Sequence, residues 1–301
     1  MTRRVWLNLI LLLFVIALAL VAYIEPGKKR LEERSQLLSL PIEQVTRVQL
    51  QRHGAETIEI ERTDNGWMIV APIRIAASNY RVNTLLQLMS ATSYSHFSAA
   101  VRPLSAFGLD KPLGTVVFND QAILFGNNEP LNNRRYVLIG DQVHLTDDRN
   151  FYQSQLQLTA LVDTALVPPG RSLKQIRLPG LLLQQHQGEW RSQWLSVAAE
   201  GPAQPAPTSA DINSLVDEWR RASAMQVSHY QSDVAEGSIE LEFADGETMA
   251  LEILAREPEL ILGRRALNLR FHFSADQAER LLNLPQGETS GSGSAVANDL
   301  D

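Results

Sequence analysis

One strand–turn–strand pattern occurs twice in this chain, and it constrains the fold more than any other feature. Residues 45–50 and 58–60 alternate apolar with polar side chains, a glycine turn follows, and Trp67 begins a returning apolar run. Residues 173–194 repeat this order, with Trp190 in the place of Trp67. A period of two is typical of half-buried strands, so each copy is expected to open with antiparallel strands.

Each copy then continues with the same elements. Residues 82–89 place apolar side chains at i, i+3, i+4 and i+7, and Leu215, Val216, Trp219 and Ala222 form a similar apolar stripe, so each copy is predicted to contain a helix with one buried face. A matched tripeptide follows, Ser-His-Phe around His96 and Ser-His-Tyr around His229, and then two strand pairs and a short helix. We therefore predict an α+β fold of two tandem units, each an antiparallel sheet with helices in the order β-β-α-β-β-β-β-α.

Residues 5–24 form an apolar segment without a charged side chain. At a rise of about 1.5 Å per residue, a helix of this length covers roughly 30 Å, the thickness of the hydrocarbon core of a membrane. Trp6 and Tyr23 lie near its two ends, where aromatic rings favour the interface. The segment predicts a single-pass transmembrane helix in the inner membrane, with the N-terminus cytoplasmic and the bulk periplasmic. A signal peptide cleaved near residues 17–19 is the alternative.

Composition sets the remaining boundaries. Prolines and a glycine predict a linker at 167–172, and a Gly/Ser-rich acidic stretch predicts disorder at the C-terminus. The predicted division is an N-terminus at 1–4, the transmembrane helix at 5–24, a stalk at 25–43, repeat unit 1 at 44–166, the linker at 167–172, repeat unit 2 at 173–284, and an acidic tail at 285–301.

Several classes of site find no support in the sequence. The net charge of −7 and the lack of a basic stripe argue against nucleic acid as a partner. The chain has no cysteine, which excludes disulfides and thiolate metal sites. Histidine pairs at helical spacing, phosphate-binding glycine loops and Gly-x-Ser-x-Gly motifs do not occur. We therefore expect no catalytic residue, no cofactor and no metal ligand.

The residues that mark the repeat have two interpretations each. His96 and His229 could form a metal or acid–base site if the two units faced each other, but a histidine that interacts with helix C-terminal carbonyls is the favoured interpretation. Trp67 and Trp190 are expected to pack beneath the helices, with an aromatic binding platform as the alternative. His144 and His272 alternate with apolar residues and are expected to face solvent.

A long polar stretch at 126–137 is the candidate for partner binding, because long loops on a rigid β scaffold often carry binding residues. Its arginines could pair with an acidic partner or a glycan carboxylate, and a solvated hairpin loop is the alternative. The candidate residues are Asn127, Asn128, Asn132, Asn133, Arg134, Arg135 and Tyr136.

Several of these features together resemble a known bacterial family. They are the apolar span that ends in Tyr-Ile-Glu-Pro, the Gly-Trp hairpin at Trp67, Pro72, Gly126, and the Arg-Tyr pair at 135–136. The chain is similar to a membrane-anchored family of unknown function, some of whose members are associated with auxiliary proteins of ABC-type transporters, including gliding-motility ones. The resemblance implies an envelope protein and carries no catalytic residues.

These observations favour a non-enzymatic, single-pass inner-membrane protein that acts as a scaffold or accessory subunit of an envelope or transport complex. Two alternatives remain open. One is a periplasmic module that binds a glycan or peptide through residues 126–137, and the other is a hydrolase whose site is assembled between the two units.

Overall fold

A computed structural model describes residues 3–24, 35–130, 132–195, 206–231 and 234–284. Three predicted segments therefore lie wholly or partly outside the described residues. They are the stalk up to residue 34, the acidic tail, and part of an insertion in unit 2 at 196–205.

Six α-helices occur in the described residues, and two of them begin at a capping box that is visible in the sequence. Thr208 and Ser274 each form a capping box with the residue three positions later, so their hydroxyls satisfy N–H groups of the first turn. The α-helices are α1 Arg3–Ile24, α2 Asn79–Leu86, α3 Phe151–Ser154, α4 Leu158–Leu161, α5 Ser209–Arg221 and α6 Ala275–Leu282. Short 3₁₀ segments lie at Ile42–Gln44, Gln87–Ser90, Ala99–Val101, Leu104–Phe107, Asp148–Asn150 and Arg265–Leu267.

The first helix covers the predicted transmembrane segment. In the parts whose side chains the structure describes, no helix offers an apolar stretch long enough to cross a membrane. Within α1 those side chains are Trp6 and residues 10–20. Trp6 is 67% exposed, and the side chain of Tyr23 lies outside the described set.

The N-terminal half forms an antiparallel sheet of nine strands within the described residues, here named sheet 1. Its order is β5-β4-β3-β2-β8-β9-β10-β11-β7, and β1 pairs separately with β6. The strands are β1 Ser35–Gln36, β2 Arg47–Arg52, β3 Ile58–Thr63, β4 Gly66–Ala71, β5 Ile75–Ala76, β6 Thr92–Ser93, β7 Ser95–Ser98, β8 Gly114–Phe118, β9 Gln121–Asn128, β10 Arg134–Ile139 and β11 Gln142–Asp147.

The C-terminal half forms a second antiparallel sheet of eight described strands, sheet 2. Its strands are β12 Leu173–Leu178, β13 Leu181–His186, β14 Glu189–Trp194, β15 Gln226–His229, β16 Gly237–Phe243, β17 Thr248–Ala255, β18 Leu260–Arg264 and β19 Leu269–Phe273. Their order is β14-β13-β12-β16-β17-β18-β19-β15. From β4 to β7, sheet 1 has the same strand order as sheet 2. The two halves therefore share one topology although their sequences differ.

The prediction of an α+β fold rich in antiparallel sheet is confirmed, but the predicted order of elements within each unit was wrong in three respects. Three long strands precede α2 and α5, as the three extended segments of each copy predict, so the stated order β-β-α omitted one strand. The tripeptides around His96 and His229 are the edge strands β7 and β15, not helix ends. Unit 1 ends in two short helices, α3 and α4, instead of one. A four-residue strand shows too little alternation to be separated from the helix before it.

Both sheets contribute to one apolar core. Trp67 and Trp190 are each 7% exposed and lie in this core, as does the fully buried Trp219. The halves are also joined by backbone hydrogen bonds, from Leu166 N–H to the Ala222 carbonyl at 3.0 Å and from Ala224 N–H to the Thr164 carbonyl at 2.9 Å. Helices α2 to α6 contribute side chains to this core or pack against it, so they cover the inner faces of the sheets.

Candidate functional site

The predicted binding stretch at 126–137 is only partly accessible. Arg135 begins the alternating burial of β10 and is 8% exposed. Its Nε donates to Asp148 Oδ1 and its Nη1 to the Gly126 carbonyl, both at 2.6 Å. Its guanidinium also lies 4.0 Å from the ring centre of Phe151. Arg135 is therefore engaged inside unit 1, and the expectation that it pairs with an external acid does not fit this arrangement.

Its neighbours are also engaged within unit 1. The guanidinium of Arg134 lies 3.9 Å from the ring centre of Tyr94. Tyr136 packs at 4.9 Å against Phe107, and burial raises the pKa of its hydroxyl. Asn132 donates to Glu129 at 3.2 Å.

The remaining asparagines lie around the same turn. Asn127 and Asn128 are exposed at the end of β9, although the side chain of Asn127 approaches Gly108 closely. Asn133 has a φ of 52°, so it supplies a left-handed turn residue. These asparagines are the exposed part of the predicted stretch, whereas Arg134 is partly buried and Arg135 is buried.

The two marker histidines lie at the edges of different sheets. His96, exposed on β7, stacks on His144 of the next strand with ring centres 5.4 Å apart. His144 shares a 2.9 Å hydrogen bond with Ser93 and is 9% exposed, so the expectation that it faces solvent was wrong. Burial lowers the pKa of His144, and the neighbouring His96 lowers it further. His229 is exposed and pairs through its backbone with Leu269. No cluster of metal-ligating side chains occurs among the described residues.

The outer faces of the two sheets differ at their matched edges. In unit 1, residues 99–109 fold over the strands and place Phe107 and Leu109 against Val143 of β11. Partly buried apolar side chains complete this small second core. They are Phe97, Ala99, Leu104, Leu124, Tyr136 and Leu138. In unit 2, the connection between β15 and β16 consists of residues 230–236. Strand β19 has Arg270 and His272 on this face, where strand β11 of unit 1 has Leu145 and Val143.

The outer face of unit 2 carries a hydrogen-bonded chain of three side chains from three strands. Ser228 Oγ lies 2.8 Å from His272 Nε2, and His272 Nδ1 lies 2.9 Å from Glu259 Oε1. The strand register explains this proximity. Ser228 is paired with Arg270, two residues before His272, and Glu259 immediately precedes β18, which pairs with β19. His272 alternates with buried residues and lies on the outer face as expected, but its side chain is only 13% exposed.

With Glu259 ionised and His272 neutral, the hydrogen-bonding capacities of these groups set the direction of each bond. An ionised Glu259 can only accept, so His272 donates to it from Nδ1. In the neutral imidazole, Nε2 is then an acceptor, and the hydroxyl of Ser228 must donate to it. Arg270 Nε completes the chain by donating to Ser228 Oγ at 3.3 Å. This order of serine, histidine and carboxylate is the arrangement that prepares a serine hydroxyl to lose its proton.

A second polar group lies beside this chain on the same face. The hydroxyl of Tyr230 donates to Glu252, and Arg265 donates from Nε to the same carboxylate at 2.8 Å. Both bonds lower the pKa of Glu252, that from Arg265 being the larger cause. Gly263 provides room for the Tyr230 ring, since a Cβ there would lie 2.6 Å from Tyr230 Cε2.

The sequence did not reveal Ser228, Glu259 and His272 as a group. In the sequence, Ser228 is marked only as part of the repeated tripeptide, His272 is expected to face solvent, and no pattern marks Glu259. The one available signal is the contrast between matched strands, apolar Val143 and Leu145 in unit 1 against Arg270 and His272 in unit 2.

Comparison with known families assigns the chain to a family but not to an activity. The domain of unknown function DUF4340 matches residues 67–240, which run from the start of β4 in sheet 1 into β16 of sheet 2. No curated protein and no solved structure is significantly similar to this chain. The matched region covers more than half of the sequence and includes strands of both sheets. The chain therefore belongs to the DUF4340 family.

Proposed function

We propose that this protein is a membrane-anchored accessory subunit of an envelope or transport complex, with a rigid two-sheet body held outside the cytoplasm. The observation that carries the proposal is the surface of α1. Residues 10–20 are all apolar and all exposed, with Leu13 at 65% and Phe14 at 62%. No described part of the body covers them, so this surface requires an apolar environment.

The free energy of transferring this apolar surface from water to lipid is large and favourable. Each fully buried Leu, Ile, Val or Phe side chain contributes about 1.5–3 kcal/mol, so residues 10–20 together favour a lipid environment by on the order of 15 kcal/mol. Residues 3–24 are helical throughout, which satisfies the backbone hydrogen bonds of the segment internally, as a lipid environment requires. Anchoring is therefore the simplest way to accommodate this helix.

The body supports a binding role for the anchored protein. Two sheets with one strand order share a single core, so their outer faces and edges are presented as a fixed surface. The family that the sequence resembles also includes members that are associated with ABC-type transporters. An accessory role combines these points without requiring a catalytic step.

Topology is tested by fusing a reporter enzyme that is active only in the periplasm after Asp301 of the full chain. We expect activity, and we expect the protein to stay in the membrane pellet after alkaline carbonate extraction. Replacing Leu13 and Val15 together by Arg should release it, because a charge near the centre of a helix costs about 2.5–3.5 kcal/mol on insertion. The matched control replaces exposed Tyr152 and Val101 of the body by Arg and should leave extraction unchanged. A silent fusion would reverse the proposed topology, and release of the native chain by carbonate would refute the anchor.

The accessory role needs a separate experiment. The full chain is cross-linked in intact membranes, purified in mild detergent, and its partners are identified by mass spectrometry. Enrichment of ABC-type transporter subunits over the arginine-substituted chain is the expected result. Recovery of the protein alone, at every cross-linker length, would exclude a stable complex of this kind.

A further inference from the structure

We propose that Ser228 is a nucleophile that accepts acyl groups from small activated carboxylic esters, with His272 as its general base and Glu259 as a positioning residue. The inference rests on the hydrogen-bonded chain on the outer face of sheet 2 and does not depend on the membrane anchor. It goes beyond an accessory role, because it assigns a chemical reaction to this face.

Access to Ser228 comes from its position in the sheet. Strand β15 is at the edge of sheet 2, and the side chain of Ser228 is half-buried on the outer face. Because Ser228 is partly exposed there, a carbonyl carbon can approach its Oγ from the outer side of the sheet.

The proposed step balances in protons and electrons. An oxygen lone pair of Ser228 forms a bond to the ester carbonyl carbon, and the hydroxyl proton passes to His272 Nε2. The tetrahedral intermediate then expels the alcohol, which takes the proton back from His272. Water, deprotonated by the same histidine, hydrolyses the acyl-serine, releases the acid and returns the proton to Ser228.

The surrounding charges favour this direction of proton transfer. The carboxylate of Glu259 holds Nδ1–H of His272 and stabilises the imidazolium that forms, so Nε2 stays directed at Ser228. Arg270 Nε, 3.3 Å from Ser228 Oγ, stabilises negative charge as the hydroxyl proton leaves. General base catalysis contributes about 100- to 10,000-fold. This assistance suffices for activated esters and reactive phosphonates, and it falls short of the rates that amide bonds demand.

Unit 1 provides an internal comparison. Ser95 occupies the matched place in its tripeptide, but it is paired across the strands with Leu145, where Ser228 is paired with Arg270. The serine–histidine contact of unit 1 joins Ser93 to His144, whose ring neighbour is His96 and not a carboxylate. Activation is therefore specific to unit 2.

The test uses the purified full chain in detergent micelles and a fluorophosphonate probe. Ser228 Oγ attacks phosphorus, fluoride leaves, and the proton passes to His272, so the labelled peptide gains the mass of the phosphonyl group. We expect labelling at Ser228, its loss in Ser228→Ala, and full retention in the control Ser95→Ala. His272→Gln should slow labelling by about 100-fold. Hydrolysis of p-nitrophenyl acetate should follow the same order among the variants.

Rescue by a conservative variant separates catalysis from a structural role. Glu259→Gln should slow the labelling of Ser228, because an amide does not stabilise the imidazolium that forms during the attack. Glu259→Asp should restore the labelling rate in part. Urea unfolding of each variant verifies that it is folded. Labelling of Ser228 at the rate of Ser95, or an undiminished labelling rate in Glu259→Gln, would overturn the proposal.

Discussion

Arg135 and Asp148 form an ion pair of 2.6 Å in which the arginine side chain is only 9% exposed. The same guanidinium donates to the carbonyl of Gly126, so one side chain connects β9, β10 and the 3₁₀ segment that follows β11. A cation in this position contributes through its hydrogen bonds and through the burial of its planar group against Phe151.

Replacing Arg135 by Leu should therefore destabilise the protein by about 3 kcal/mol, because it leaves the Asp148 carboxylate and a buried carbonyl without their donor. The measurement is the urea unfolding midpoint of the full chain in detergent. Arg149→Leu is the control. Arg149 also pairs with an aspartate, at 3.2 Å, but is 81% exposed, and the loss of an exposed pair costs about 0–1 kcal/mol. Equal losses in the two variants would contradict the structural role of Arg135.

A second prediction concerns Gly126, which lies in the same region. A Cβ at this position would overlap the carbonyl oxygen of Phe107, a backbone atom that cannot rotate away, and would lie 2.9 Å from the side chain of Leu109. Gly126→Ala should cost about 1–3 kcal/mol, because overpacking forces the backbone of the covering segment to move. Near-ultraviolet circular dichroism should show loosening of Phe107 and Tyr136, which pack together there.

Gly237→Ala serves as the control for overpacking. Its added Cβ would meet neighbours at 3.4 Å or more, which is ordinary contact, and its φ is not left-handed. This variant should be neutral or slightly stabilising, because alanine restricts the unfolded chain more than glycine does. If Gly126→Ala and Gly237→Ala have the same stability, then the close contact with Phe107 does not determine the effect of the substitution at Gly126.

The sequence revealed the long strands because a half-buried strand alternates its side chains over six or more residues. Ile58 and Ile60 are both buried in β3, and Leu241 and Phe243 are both buried in β16, as alternation requires. The edge strand β7 is only four residues long and contains no fully buried residue. Ser95 and Phe97 are partly buried, and His96 and Ser98 are exposed, so its alternation is too short and too weak to identify a strand.

The candidate sites were missed for a different reason. Arg135 was expected to be accessible because it follows an asparagine-rich loop, but its fate is set by Asp148, a partner in another element. Ser228, Glu259 and His272 come from three parts of unit 2 that meet only through strand pairing. Periodicity gives the faces of single strands and says nothing about register between strands, on which such side-chain groups depend.

Two tryptophans provide a matched pair for the value of a buried hydrogen bond. Trp219 is fully buried and donates from Nε1 to the Leu281 carbonyl at 2.9 Å, whereas buried Trp190 has no partner for its Nε1 among the described residues. Phenylalanine removes a similar volume at each position. Trp219→Phe should therefore cost about 1 kcal/mol more than Trp190→Phe, the difference being the lost hydrogen bond. Urea midpoints measured side by side give this difference, and a larger loss for Trp190 would reverse the assignment.

His144 should make the stability of the protein depend on pH. Burial, and secondly His96, lowers its pKa in the folded state, while in the unfolded chain the pKa is about 6.5. Between these two values the unfolded chain binds a proton that the folded protein does not, so the free energy of unfolding falls as the pH drops from about 7 towards 5. His144→Gln keeps a partner for Ser93 and removes this titration, so its urea midpoint should fall less over the same range. His186→Gln, at an exposed position beside a turn, should leave the native slope unchanged. An identical slope in native protein and His144→Gln would show that another group governs acid sensitivity.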